Sequence, residues 1–230
     1  MARTAIVTGG TGGLGTAVVT TLLDDGWRVV VPWVAEHEKV RLEPHPSLEL
    51  IEADLFDATN VAGVAELASG SSAAPLAAVV NLVGGFDAPG RVHEVPVERF
   101  EEQFRLNLRP TYLVTAAALP HLIAGGGGSV VCVSTRAALR PFSGAAGYIS
   151  SKAAVIAFVQ ALTAEYRDDG VRANAILPSV IDTPGNRAGQ PDAEYSKWVK
   201  PEEIARVVRF LVGDDSAVTS GAAIPVYGRA

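Results

Sequence analysis

At 230 residues, 48% of them hydrophobic and 19% charged, the chain is long enough for one well-buried core and too apolar to be disordered. A net charge of -6 with no basic run argues against nucleic acid or an anionic membrane surface as a partner. Cys132 is the lone cysteine, which excludes an internal disulfide and a multi-cysteine metal cluster, so no metal is expected and a reducing compartment fits.

The first element is the apolar run TAIVTG. The single arginine and short apolar run at the start do not make a signal peptide, and no apolar stretch of about 18 residues occurs, so a cytoplasmic protein with no membrane association is expected. The run passes directly into GGTGGLG and then into a stretch with Val18, Leu22 and Leu23 at helical spacing. A strand, a glycine turn and a helix in immediate succession bring backbone N–H groups and the positive helix end up to a pyrophosphate. Gly10, Gly12 and Gly15 satisfy G-x-G-x-x-G, while Thr8, Gly9, Gly13 and Gly15 satisfy T-G-x-x-x-G-x-G; Thr16 and Ala17 follow where a P-loop needs lysine.

WRVVVPW is the second expected strand, and an acid at its end would accept hydrogen bonds from an adenosine ribose. Trp33 stands there instead, suited to packing at the sheet edge or against adenine, with Glu36, Lys39 and Arg41 close behind, so the choice between NAD and NADP stays open. LELIEAD, LAAVVNLVGG, GSVVCVST, VRANAILPS and AAIPVYG complete seven strands, each apolar on both faces and followed by glycine, polar or proline punctuation. SGSSAAP and AGGGGS read as short helix-to-strand loops. Residues 183–200 form one extended segment of weak periodicity, expected as a lid or substrate wall. Strand and helix alternate throughout, which predicts a single doubly wound Rossmann domain over residues 1–230 with a seven-stranded parallel sheet.

Between the fifth and sixth strands lies YISSKAAVIAFVQALTAEY, with Ala153, Ile156, Ala157, Gln160 and Ala161 at helical spacing. On a helix Tyr148 and Lys152 share one face. An ammonium about 4 Å from a phenol oxygen is worth about 4 kcal/mol at an effective dielectric near 20, enough to bring the phenol towards neutrality as a general acid/base. The pair is common by chance; its company is the strand ending in Ser134 and Thr135 just upstream.

With those motifs in view, the chain resembles the short-chain dehydrogenase/reductase family from end to end. The resemblance rests on TGGTGGLG, Asp54, NLVGG, Asn107 in RLNLRP, VST, YISSK, LPSVIDTP and the PEEIARVVRFL…SGAAIPVYG ending. It implies an NAD(P)(H)-dependent oxidoreductase that moves hydride between nicotinamide and a carbonyl/alcohol or conjugated imine substrate. It further implies Asn107 anchoring a water, Thr135 holding the substrate oxygen, Tyr148 as acid/base, and Lys152 lowering its pKa and holding ribose. Cofactor contacts are implied at Gly9, Thr11, Gly13, Leu14 and Gly15, at Trp33, at Asp54 and Leu55, at Asn81, Val83 and Gly84, and at Pro178, Ile181 and Thr183, besides Tyr148 and Lys152.

Thr135 takes the place of the usual serine; strand alternation favours it over Ser134, which is expected on the opposite face. NLVGG departs from the family's usual sequence, and Ser179 replaces a usual glycine. VGGF, STRAAL, IDTPGNR and PDAEYSKW are partly similar to dihydropteridine reductase, through Asp182, Thr183, Pro184, Asn186, Arg187, Pro191, Ala193, Ser196 and Trp198, which suggests a pteridine-like substrate. Gly85, Phe86, Arg187 and Trp198 are candidate pocket walls, with Phe86 and Trp198 better read as packing residues. The resemblance also implies a small-molecule substrate and a homodimer or homotetramer paired through helices around 98–124 and 148–167. A dinucleotide-binding sensor without turnover and a structural subunit are the alternatives.

Overall fold

In the computed structural model, which describes residues 2–229, every apolar run identified above becomes a parallel strand. The strands are β1 (Thr4–Thr8), β2 (Arg28–Trp33), β3 (Leu48–Glu52), β4 (Leu76–Asn81), β5 (Gly128–Val133), β6 (Val171–Pro178) and β7 (Ala223–Val226), in the order β3-β2-β1-β4-β5-β6-β7. Val and Ile dominate because both faces are covered: β1 is buried along its whole length.

Between the strands run α1 (Gly15–Asp24), α2 (Ala58–Ser69), α3 (Val97–Asn107), α4 (Arg109–Ala124), α5 (Ala146–Tyr166), α6 (Pro184–Gly189) and α7 (Pro201–Val212). One core layer joins α2, α4 and α5 to the sheet through residues such as Val64, Leu122 and Val159. The other joins α1 and α7 to the opposite face through Val18, Leu22, Ile204 and Leu211. Local chemistry marks the helix starts. The Asp57 carboxylate accepts the Thr59 and Asn60 amides at 2.7 and 3.0 Å to cap α2. Pro201 opens α7, and the Glu203 carboxylate accepts the Lys200 amide at 2.9 Å.

The region around 98–124 is two helices. Pro110 offers no amide and crowds the preceding turn, so the chain breaks at Leu108 and Asn107 becomes the last residue of α3. The face of α5 also differs from its sequence pattern. Ser151, Lys152, Val155, Val159 and Leu162 are buried, while Ala157, Gln160 and Ala161 face outward. The predicted lid is more ordered than its periodicity suggests: the Thr183 hydroxyl caps the short α6, and the Tyr195 hydroxyl donates to the Pro191 carbonyl at 2.9 Å.

Candidate active site

From β1 the chain winds outward to β2 and β3; from β4 it winds the other way to β5, β6 and β7. The crevice at the carboxyl ends of β1 and β4 lies at this switch, where open parallel sheets bind their ligands. Its floor is the glycine turn. Gly9 adopts φ +65, a left-handed conformation, and its carbonyl accepts the Gly12 amide at 3.0 Å. A Cβ on Gly15 would lie 1.9 Å from the Gly9 oxygen, so strand and helix meet here backbone to backbone. Leu14 leaves α1 without a side-chain cap, and the amides of Gly13, Leu14 and Gly15 have no acceptor among the described residues. Three free N–H groups at a positive helix end suit a pyrophosphate.

Thr183 closes this turn from the β6 side, where a Cβ on Gly13 would strike its methyl at 2.9 Å. Pro178 is buried at the end of β6, and Ile181 pairs with Val199 to hold the following loop beside it. On the other flank, Trp33 ends β2 with the Lys39 ammonium 4.3 Å from its ring. The Thr11 hydroxyl donates to Glu38 at 3.0 Å, and Arg41 donates to Glu38 at 2.8 Å and to the Thr11 carbonyl at 3.1 Å. Acids and cations at the adenosine end thus pair with one another, Lys39 with Glu36 included.

Asp54 accepts the Phe56 amide at 2.9 Å, turning one carboxylate oxygen back into its own loop, and Leu55 packs into the core beneath. Asn81 is buried and donates to the Thr115 hydroxyl at 3.0 Å, while its Oδ1 has no partner among the described residues. Val83 packs on the core edge and touches the space above Gly9.

Gly84 brings the two halves of the crevice together. A Cβ there would meet Asn107 Oδ1 at 2.6 Å and Lys152 Nζ at 2.8 Å, so a bare backbone is required beside both groups. Asn107 Oδ1 accepts the Gly85 amide at 2.9 Å, and its Nδ2 donates to the Ser151 hydroxyl at 3.2 Å and to Gln103 Oε1 at 3.4 Å. Gln103 carries no sequence motif and Ser151 fills an unassigned position between Tyr148 and Lys152; only α3 packed on α5 reveals them as the supports of Asn107. Lys152 Nζ donates to the Val133 carbonyl at 3.0 Å.

The two hydroxyls ending β5 part as alternating side chains must. Ser134 donates to the Lys152 carbonyl at 2.7 Å and is buried there. Thr135 stands beside the Tyr148 phenol, close enough to act on its pKa, while its Oγ1 accepts the Ala137 amide at 3.3 Å. Burial raises the phenol above its ordinary value of 10.0, and the nearby Thr135 hydroxyl only partly offsets this. Without cofactor, then, Lys152 does not depress Tyr148 as the sequence led one to expect. Burial lowers Lys152 itself to about 8 and its Nζ is turned to Val133, so at the phenol burial is opposed by Thr135 alone. Cys132, under the site, is pushed up to about 12 by burial and stays a neutral thiol.

Of the candidate walls, Trp198 is buried against Tyr195, their ring centroids 4.8 Å apart. Arg187 is engaged with Asp182 at 2.8 Å. Phe86 departs from its expected packing role: it is 64% exposed and stands edge-on to the Tyr148 ring, centroids 5.0 Å apart at 84°.

The family profile described as short chain dehydrogenase matches residues 3–194. A 2-(R)-hydroxypropyl-CoM dehydrogenase of Xanthobacter autotrophicus is 31% identical, covering 99% of this chain and 98% of that protein. Among solved structures, a short-chain type dehydrogenase/reductase from Mycobacterium ulcerans aligns with a TM-score of 0.91 at 26% identity, over 99% of this chain and 89% of that one. ElxO with NADP bound aligns with a TM-score of 0.90 at 21% identity, over 99% and 98%.

Proposed function

The chain belongs to the short-chain dehydrogenase/reductase family, and from that premise we propose that it reduces a small-molecule carbonyl to an alcohol with Tyr148 as the proton donor. The observation that carries this reading is the convergence of Asn107 and Lys152 on the bare backbone of Gly84, one helical turn from Tyr148, with Thr135 beside its phenol. Burial keeps the phenol protonated at neutral pH, the form that donates to a carbonyl oxygen during reduction.

The residues fit a nicotinamide dinucleotide: free amides lie at the glycine turn, and Gly13 and Gly84 leave room where side chains would intrude. When bound, NAD(P)H supplies the hydride that balances the reduction of the carbonyl carbon. Thr135 holds the carbonyl oxygen, Tyr148 gives it a proton, and the tyrosinate is restored by a proton from solvent through a water held at Asn107. Lys152, once a ribose displaces it from Val133, donates to that ribose and steadies the tyrosinate. Trp33 faces adenine, and Asp54, Leu55, Asn81, Val83, Pro178 and Ile181 wall the remainder.

A carbonyl is favoured over a pteridine-like imine. Of the residues that suggested the latter, Arg187 is held by Asp182 and Trp198 is buried. The curated relative is named for a hydroxypropyl compound, which fits an alcohol/ketone pair. We place the protein in the cytoplasm as a homodimer or homotetramer joined through α4 and α5. Tyr148→Phe is the test: turnover is expected to fall by roughly 10²–10⁴-fold while NADH or NADPH fluorescence still reports binding. Undiminished turnover in that variant ends the proposal.

A further inference from the structure

A cavity of about 330 Å³ opens beside the reacting tyrosine, between residues 87–97, the first turns of α3 and the start of α5. Val92, Val95, Val97, Phe100 and the Tyr148 ring itself line it. One residue therefore serves both spaces: Tyr148 stands beside Thr135 in the crevice and also lines the cavity. A group lodged there is joined to the reacting carbon by few bonds.

Arg99 is the one cation in this lining, and Asp87, also in the lining, takes it at 2.8 Å. Gln103 is committed to Asn107. The cavity thus presents no unpaired charge to a carboxylate, sulfonate or phosphate. At its margin stand two aromatic rings that the core does not use. Phe86 lies edge-on to Tyr148, and Phe142, 49% exposed, lies 6.3 Å from Phe86. Large apolar side chains left in water next to a reacting group gain a purpose when a ligand covers them.

Resting on the reading of Tyr148 as proton donor, we infer that the substrate is an uncharged ketone or aldehyde bearing an aryl or branched alkyl group, seated in the cavity beneath residues 87–97 against Tyr148 and Phe86. An apolar cavity of about 150 Å³ takes up one benzene, so the volume accommodates a group of about two rings.

Diacetyl and methyl phenyl diketone present the same reacting dicarbonyl with a methyl or a phenyl beside it, and phenylglyoxylate keeps the phenyl ketone with a carboxylate in place of the acetyl group. With the wild-type protein and its better nicotinamide cofactor, kcat/KM for methyl phenyl diketone is expected to exceed that for diacetyl, and that for phenylglyoxylate, by at least about tenfold. In Val95→Trp, which fills the cavity, the ratio of the two diketones is expected to fall towards one. Val92→Trp, at a position 76% exposed, repeats the test should that variant not fold. Turnover with a wild-type diketone ratio near one, a preference for phenylglyoxylate, or an unchanged ratio in the filled cavity overturns the inference and leaves the reductase reading standing. Absence of turnover with every carbonyl in a broad screen, despite cofactor binding, sinks that reading and the inference with it.

Discussion

Lys152 pays for its position with solvation. It is 5% exposed, shares a layer with Ser151 and the neutral Cys132, and its pKa is lowered to about 8 by burial. Below that pH both the folded and unfolded chains hold the proton. Between about 8 and the ordinary 10.5 only the unfolded chain does, so stability rises with pH across that window. The Tyr148 phenol, raised by burial, acts in the opposite sense but only above its ordinary 10.0. Urea denaturation of the cofactor-free protein, referenced to Lys152→Met, is therefore expected to show the wild type gaining about 2 kcal/mol between about pH 7.5 and 9.5. A flat difference would mean that water reaches the ammonium. Residue type and spacing identify Tyr148 and Lys152 in the sequence, yet the direction of the phenol's shift is not legible there. It depends on how much of the ring is buried and on where Nζ points, and both are set by β5 and Gly84, distant in sequence from the i, i+4 pair.

At the scale of elements, two glycines in helices make opposite predictions. Gly15 begins α1 against the backbone of Gly9, with no side chain free to yield, whereas Gly63 lies within α2 with nothing inside 4 Å of an added Cβ. Gly15→Ala is expected to cost about 3 kcal/mol and to weaken dinucleotide binding, because the turn must open to admit a methyl. Gly63→Ala is expected to stabilise by up to about 1 kcal/mol through helix propensity alone. Thermal denaturation of the two variants reads the opposite signs directly. The same contrast explains what was legible among the elements. Strands buried on both faces write continuous Val and Ile runs, and the glycine turn writes its own spacing, so β1 to β7 and the start of α1 are all visible in the sequence. The short α6 is not, since it stands on the Thr183 cap and the Arg187–Asp182 pair and carries no apolar stripe. Phe86 is misread for a related reason: a buried and an exposed phenylalanine look alike until the neighbouring loop is placed.

For the whole molecule, α5 poses the remaining question. It is 21 residues long and apolar enough by composition to cross a membrane, yet one stripe, with Lys152 and Ser151 in it, packs on the sheet and on α3. Only 28% of its most apolar 18-residue window is buried within the chain. From Ala153 to Ala164 it carries no charge, and its outward face presents Ala157, Ala161 and Ala164, small enough for another helix to approach closely. Next to it on α4, Tyr112 is 56% exposed and lies 5.9 Å from Phe158. A helix apolar on all sides is normally covered on all sides, and a two-fold axis that lays α4 and α5 on their own copies covers both at once. Light scattering at micromolar concentration is accordingly expected to give a dimer or tetramer. Ala157→Arg brings like charges into the joint on both copies while leaving the exposed site free of clashes within the chain. It is expected to shift the mass towards the monomer with little change in circular dichroism. A monomeric wild type, or a variant that assembles as before, would show that copies of the chain do not meet through this face.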